Sequence, residues 1–158
     1  MGMRLLALVL AGLLSGCAVT LEGLTLSYRL DFTPAILRFE PDRGPGAAYF
    51  VGEEVRFFLT LASPGWVSLV VVDPDGRTYT LDSFYLPRGT HVLPPGAYRY
   101  ALTLPRGFHR VRAVYTDTEP GAVRLEGVYT DWEARLRLYL EASRAMRHQV
   151  AETYFYVY

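Results

Sequence analysis

Val55-Arg56-Phe57-Phe58-Leu59-Thr60-Leu61, then Trp66 through Val72, then Asp73-Pro74-Asp75-Gly76, then Tyr79 through Tyr85: this stretch decides the fold class. Val55, Phe57, Leu59 and Leu61 alternate with Arg56 and Thr60, the two-residue period of a strand with one face buried. Trp66–Val72 is apolar with little interruption, as a central strand covered on both faces would be. Asp73-Pro74-Asp75-Gly76 is turn chemistry, proline presetting one dihedral and glycine accepting a positive one. Tyr79, Leu81, Ser83 and Tyr85 form the next alternating face.

The same rhythm extends outward. Before it lie two apolar stretches, Leu24–Leu30 and Ala35–Phe39, and a loop at Pro41–Gly46. After it come Pro87–Gly89, Pro94–Gly96, and strands expected at Tyr98–Leu104 and Phe108–Thr116. Strands this short and frequent predict a mainly β fold, an antiparallel sandwich or barrel, rather than a parallel α/β sheet. One segment departs from it. Trp132, Leu136, Tyr139, Ser143 and Met146 recur at helical spacing, and Thr130 stands three residues before Glu133 as in a capping box. The spacing predicts one helix over 131–147, and Val150–Tyr158 then reads as a closing strand. Phe155 and Val157 are expected to face the core, opposite Tyr154, Tyr156 and Tyr158.

The N-terminus reads as an address. Arg4 precedes an apolar run from Leu5 to Leu14, and Ser15-Gly16 closes it with small residues, the three parts of an export signal. Ten helical residues span about 15 Å, roughly half the hydrocarbon core of a bilayer, so a permanent transmembrane helix fits poorly. Leu14-Ser15-Gly16-Cys17 resembles the lipobox of bacterial lipoproteins, and Cys17 is the only cysteine. The resemblance implies cleavage before Cys17 and acyl chains on its sulfur and new amine. Each buried methylene contributes about 0.8 kcal/mol to such an anchor, and two or three chains hold where one exchanges. The expected organisation is a signal peptide at 1–16, a lipidated tether at 17–23 and one domain at 24–158. The chain is expected to be exported and held at the outer membrane or the outer face of the inner membrane.

Composition narrows the partners. Removing the first 16 of 158 residues leaves a length suited to one domain. Arg4 leaves with the signal, so 15 arginines face 16 acids and nothing draws the domain to nucleic acid. With a single cysteine no internal disulfide forms, and the core must supply the stability. Lysine and asparagine are absent.

Tyr49-Phe50-Val51-Gly52-Glu53-Glu54-Val55, Pro64-Gly65-Trp66-Val67-Ser68-Leu69, Asp73-Pro74-Asp75-Gly76, Pro105-Arg106-Gly107 through Arg110-Val111-Arg112-Ala113, and the ending Glu152-Thr153-Tyr154-Phe155-Tyr156 follow one another as blocks. In that order they resemble the domain of unknown function numbered 4384, over roughly residues 40–158. Trp66 stands where that family is expected to carry tyrosine. The resemblance implies an immunoglobulin-like β-sandwich, often an accessory module, and no activity or active-site residues.

No catalytic, cofactor-binding or metal-binding set emerges from the residues. His91, His109 and His148 fall in an expected loop, strand and helix, without metal-ligand spacing. Asp73 and Asp75 lack the further acids of a calcium cage, and no serine sits in a nucleophile elbow. Two groups carry recognition chemistry. Arg106, Arg110 and Arg112, joined by Arg99, either grip anionic groups bidentately or form a solvated sheet face. Tyr154, Tyr156 and Tyr158 either offer an amphipathic contact surface or pack beneath a neighbouring element. The expectation is a lipid-anchored, non-catalytic binding or structural module for an envelope protein or polymer. The alternative is an enzyme, or enzyme subunit, acting on envelope polymers, which requires titratable groups converging in a cleft.

Overall fold

The computed structural model describes residues 18–21, 24–27, 33–128 and 131–158. The expected signal peptide, Cys17 and the Thr130 cap lie outside the described residues. The chain divides into two units, Met1–Thr33 and Pro34–Tyr158. In the first, β1 (Ala18–Leu21) pairs antiparallel with β2 (Leu24–Ser27). Residues 18–21, read above as tether, are thus strand, and the larger unit starts at Pro34 rather than Leu24.

The second unit is mainly β, as expected. Its strands are β3 (Ile36–Pro41), β4 (Ala48–Tyr49), β5 (Glu54–Val55), β6 (Phe57–Leu61), β7 (Gly65–Val72), β8 (Arg77–Leu86), β9 (Gly89–Leu93), β10 (Tyr100–Ala101), β11 (Gly107–Thr116), β12 (Gly127–Val128) and β13 (His148–Val157), with helix α1 (Trp132–Ser143) before the last. A six-stranded sheet runs β12-β8-β7-β11-β13-β4, a three-stranded sheet runs β3-β6-β9, and β10 pairs with β5. The core lies between the two larger sheets. Phe57, Leu59 and Leu61 of β6 meet Val67, Leu69 and Val71 of β7, Val111 and Ala113 of β11, and Phe155 and Val157 of β13. Burying each such side chain contributes about 1.5–3 kcal/mol. Strand β7 reads apolar throughout because its other face is covered as well, Val70 packing with Val114, Leu136 and Tyr139 beneath α1.

Local chemistry sets the boundaries. Asp73 closes the β7–β8 turn: its Oδ1 accepts from the Asp75 and Arg77 amides, each at 2.9 Å, and its Oδ2 accepts from the Tyr79 hydroxyl at 2.9 Å. Gly76 takes φ +80°, open to glycine at little cost. Gly65 is needed for a different reason: a Cβ there would stand 2.8 Å from the Thr116 carbonyl oxygen, where Tyr115 reaches across to donate to the Pro64 carbonyl.

Five expectations are corrected. The sheet is not wholly antiparallel, because β13 pairs parallel with β4 (Tyr156 opposite Ala48, Val157 opposite Tyr49). The chain between them is long enough for the crossover that parallel pairing requires. The alternating run 55–61 is two strands, since the Arg56 carbonyl accepts from the Asp42 amide and its own amide donates to the Asp42 carboxylate. Of Tyr98–Leu104 only Tyr100 and Ala101 pair, with Val55 and Glu54. Helix α1 stops at Ser143, not 147: Arg144 turns left-handed at φ 53°, and Asp117 draws the Met146 and Arg147 amides away, leaving Met146 91% exposed. Its described cap is Asp131, which accepts from the Ala134 amide at 3.0 Å, a bond typically worth about 1 kcal/mol. His91 and His148 accordingly sit in strands β9 and β13.

Candidate functional site

Strands β11 and β13 pair over ten rungs, and alternation turns every second rung, with both of its residues, outward from the core. After Thr116–His148 at the helix end of the sheet, the outward rungs are in order Val114–Val150, Arg112–Glu152, Arg110–Tyr154 and Phe108–Tyr156. They change character along the way. Val114 and Val150 lie in the apolar cluster under α1. At the next rung Arg112 Nε holds Glu152 at 2.8 Å and its guanidinium covers the Trp132 ring at 4.3 Å, so this rung closes the edge of the helix packing. Beyond it none of the described elements covers the sheet. Arg110 approaches Glu152 at 3.7 Å and stands 5.9 Å from the Phe108 ring.

The uncovered half is aromatic. Phe108 lies 5.6 Å from Tyr154 and 5.5 Å from Tyr156 between ring centres, Tyr156 follows Tyr158 at 6.4 Å, and Tyr158 meets Phe50 at 6.5 Å. Phe50, Phe108, Tyr154 and Tyr158 are exposed, and Tyr156 is half-buried between its neighbours. The row is held on a firm backbone. Tyr154 accepts from the Gly46 amide at 2.8 Å, and Tyr158 donates to the Tyr49 carbonyl at 2.8 Å while accepting from Val51 at 3.2 Å. Gly46 carries φ +77°, and a Cβ there would come within 3.0 Å of the Tyr154 ring. That position therefore has two reasons to be glycine.

Of the four arginines grouped by sequence, the structure brings together two. Arg110 and Arg112 share the outer face and share Glu152, so neither is a bare anion site. Arg106 is exposed in the turn before β11, and Arg99 pairs with Glu54 at 3.3 Å beside β10. The tyrosines do lie side by side, as their spacing requires, on the face away from the core. Phe50 and Phe108 complete their surface and were missed from sequence. The signal for Phe108 was present, since residues 108, 110 and 112 share one strand face. Phe50 arrives through the β4–β13 pairing, which no local pattern announces.

The other face of β11 carries His109, buried among apolar side chains and stacked parallel on Phe155 at 5.3 Å. Among the described residues no three His, Cys, Asp or Glu side chains gather as a metal site would need. Compared with known proteins, the chain matches no family model, no curated protein and no solved structure.

Proposed function

We propose that this chain is a lipoprotein of a bacterial cell envelope, with residues 1–16 as its export signal, Cys17 as its lipid attachment point and a non-catalytic recognition module behind it. The address rests on Leu14-Ser15-Gly16-Cys17 and the apolar run before it. The immunoglobulin-like reading of the sandwich, and kinship with the domain of unknown function 4384, rest on the ordered sequence blocks and on two β sheets packed about one core.

The recognition reading is carried by one observation: Phe50, Phe108, Tyr154, Tyr156 and Tyr158 form a contiguous, largely exposed row beside Arg110. Tyrosine, phenylalanine and arginine are enriched where proteins bind proteins, and tyrosine and arginine supply many of the hot spots there. The ring planes favour a protein over a sugar chain. Tyr154 and Tyr156 stand at 87° and Phe108 and Tyr156 at 55°, so the row offers edges, faces and hydroxyls rather than a flat platform. Lipid on Cys17 would keep this surface near membrane partners, raising their effective concentration without any new contact.

A photo-crosslinking side chain at Phe108, in membranes carrying the full chain, tests the reading. The expected result is one dominant adduct, lost in the triple variant Tyr154→Ser, Tyr156→Ser, Tyr158→Ser while its melting temperature stays near the parent's. A folded triple variant that still binds the same protein overturns it.

A further inference from the structure

A cavity of ≈ 380 Å³ lies at the end of the sandwich where β7 turns into β8. One wall is the inner face of the large sheet: Val71, Leu81 and Phe155. The other is the segment from Tyr100 to Pro105, tied down where Leu102 exchanges two 2.8 Å backbone hydrogen bonds with Gly52 and Glu53. The cavity exists because the six-stranded sheet extends past its three-stranded partner, leaving this segment to cover the remainder. Leu104 and Tyr79 form an exposed rim.

The polar groups on this wall are unequal. Asp73 is saturated by the Asp75 and Arg77 amides and by the Tyr79 hydroxyl. His109 is not. It is 6% exposed, and its Nδ1 lies 3.0 Å from the Gly107 carbonyl oxygen. Donating to that carbonyl places the proton of the neutral ring on Nδ1 and leaves Nε2 an acceptor. No described residue hydrogen-bonds Nε2. Nε2 is therefore the ring atom able to accept from an occupant of the cavity, and the Tyr100 hydroxyl on the facing segment is buried with no hydrogen-bond partner among the described residues.

We infer that this cavity is a binding site for a small uncharged amphiphile, an apolar body with one O–H or N–H donor directed at His109 Nε2. At the ~30 Å³ a water molecule takes up in the liquid, the space suits about a dozen heavy atoms, within the usual range of ligand pockets. The apolar body would lie between Leu102 and Phe155. The site stands on the opposite face of β11 from the aromatic row, so it is independent of the protein-recognition reading.

The test uses the full chain with 13C-labelled histidine, whose three imidazoles report separately, titrated with 1-octanol and with octyl methyl ether, which lacks the donor. Octanol should shift the His109 resonance saturably, with the ether binding about five- to tenfold more weakly for want of the hydrogen bond. His109→Phe, followed through the Phe155 ring resonances, should bind the two probes alike. Leu81→Trp, which fills the cavity from a half-buried position, should bind neither; Ala101→Trp, from the opposite wall, serves if that variant does not fold. No saturable binding to the parent chain, or undiminished binding in a folded filled variant, overturns the site. Equal affinities of the parent for octanol and ether overturn the role of His109.

Discussion

Arg112 lies with its guanidinium 4.3 Å from the centre of the Trp132 ring, joining the outer face of β11 to the first residue of α1. Its side chain is 14% exposed, while that of its ion-pair partner Glu152 is 46% exposed, so the two contacts differ in worth. A half-exposed pair yields about 0–1 kcal/mol and weakens with salt. A largely desolvated cation over an indole reaches about 1–2 kcal/mol. A double-mutant cycle of Arg112→Leu with Trp132→Phe should therefore return a coupling of about 1 kcal/mol that persists in high salt. Glu152→Gln should cost less, and less still as salt rises. Chemical denaturation measures both, and a coupling that vanishes in salt would assign the contact to the carboxylate.

How much of this was legible in advance follows from the range of each interaction. Phe155 and Val157 were readable as core because strand alternation is a local rule, and Asp73-Pro74-Asp75-Gly76 because a turn's dihedrals belong to its own residues. The end of α1 was not readable. Met146 continues the helical spacing, but Asp117, 29 residues earlier, holds its amide outside the helix. The break at Arg56 likewise depends on Asp42, and the surface position of Phe50 on a parallel pairing with β13. His109 shares its strand face with Val111 and Ala113, so its inward direction was available from sequence. The cavity beside it was not, because it depends on which sheet is the wider.

Alkaline pH should expose a weakness built into the core. Burial raises the pKa of Tyr49, Tyr100, Tyr115 and Tyr139 above the ordinary tyrosine value, Tyr49 also through its hydrogen bond to Asp42. A raised folded-state pKa means the unfolded chain loses its protons first. The stabilisation is thus complete below the unfolded value of about 10 and is lost as pH rises above it. The sequence has no lysine to titrate in the same window. The melting temperature should hold to about pH 9 and then fall, with part of the tyrosinate absorbance appearing only as the fold is lost. Release of all tyrosines in one step with the fold intact would contradict this.

Lipidation is decided by mass. The purified native protein should lack residues 1–16 and carry acyl mass on Cys17, and Cys17→Ala should leave soluble or uncut chain. An unmodified thiol at Cys17 removes the lipoprotein proposal but leaves the aromatic row and the cavity to be judged separately.

The C-terminal strand should prove structural on one face and expendable on the other. Inward, Phe155 is 2% exposed and centres a cluster, with ring centres 5.6 Å from Tyr49, 6.2 Å from Phe57 and 5.3 Å from His109. Truncating a phenylalanine so placed costs about 3–5 kcal/mol, a large share of the roughly 5–15 kcal/mol that holds a domain together. Phe155→Ala should therefore lower the melting temperature steeply. Tyr154→Ser, one residue away and 41% exposed, should change it little. Deleting Val150–Tyr158 does more than remove core: it strips β11 of the partner bonded along most of its length and takes Val150 from beneath α1. A bare strand edge and an uncovered helix face both invite association, so the truncated chain should aggregate rather than melt at a lower temperature. If instead it melts where the parent does and keeps its circular-dichroism sheet signal, the last strand contributes little to the fold, and the surface it carries could not be a rigid one.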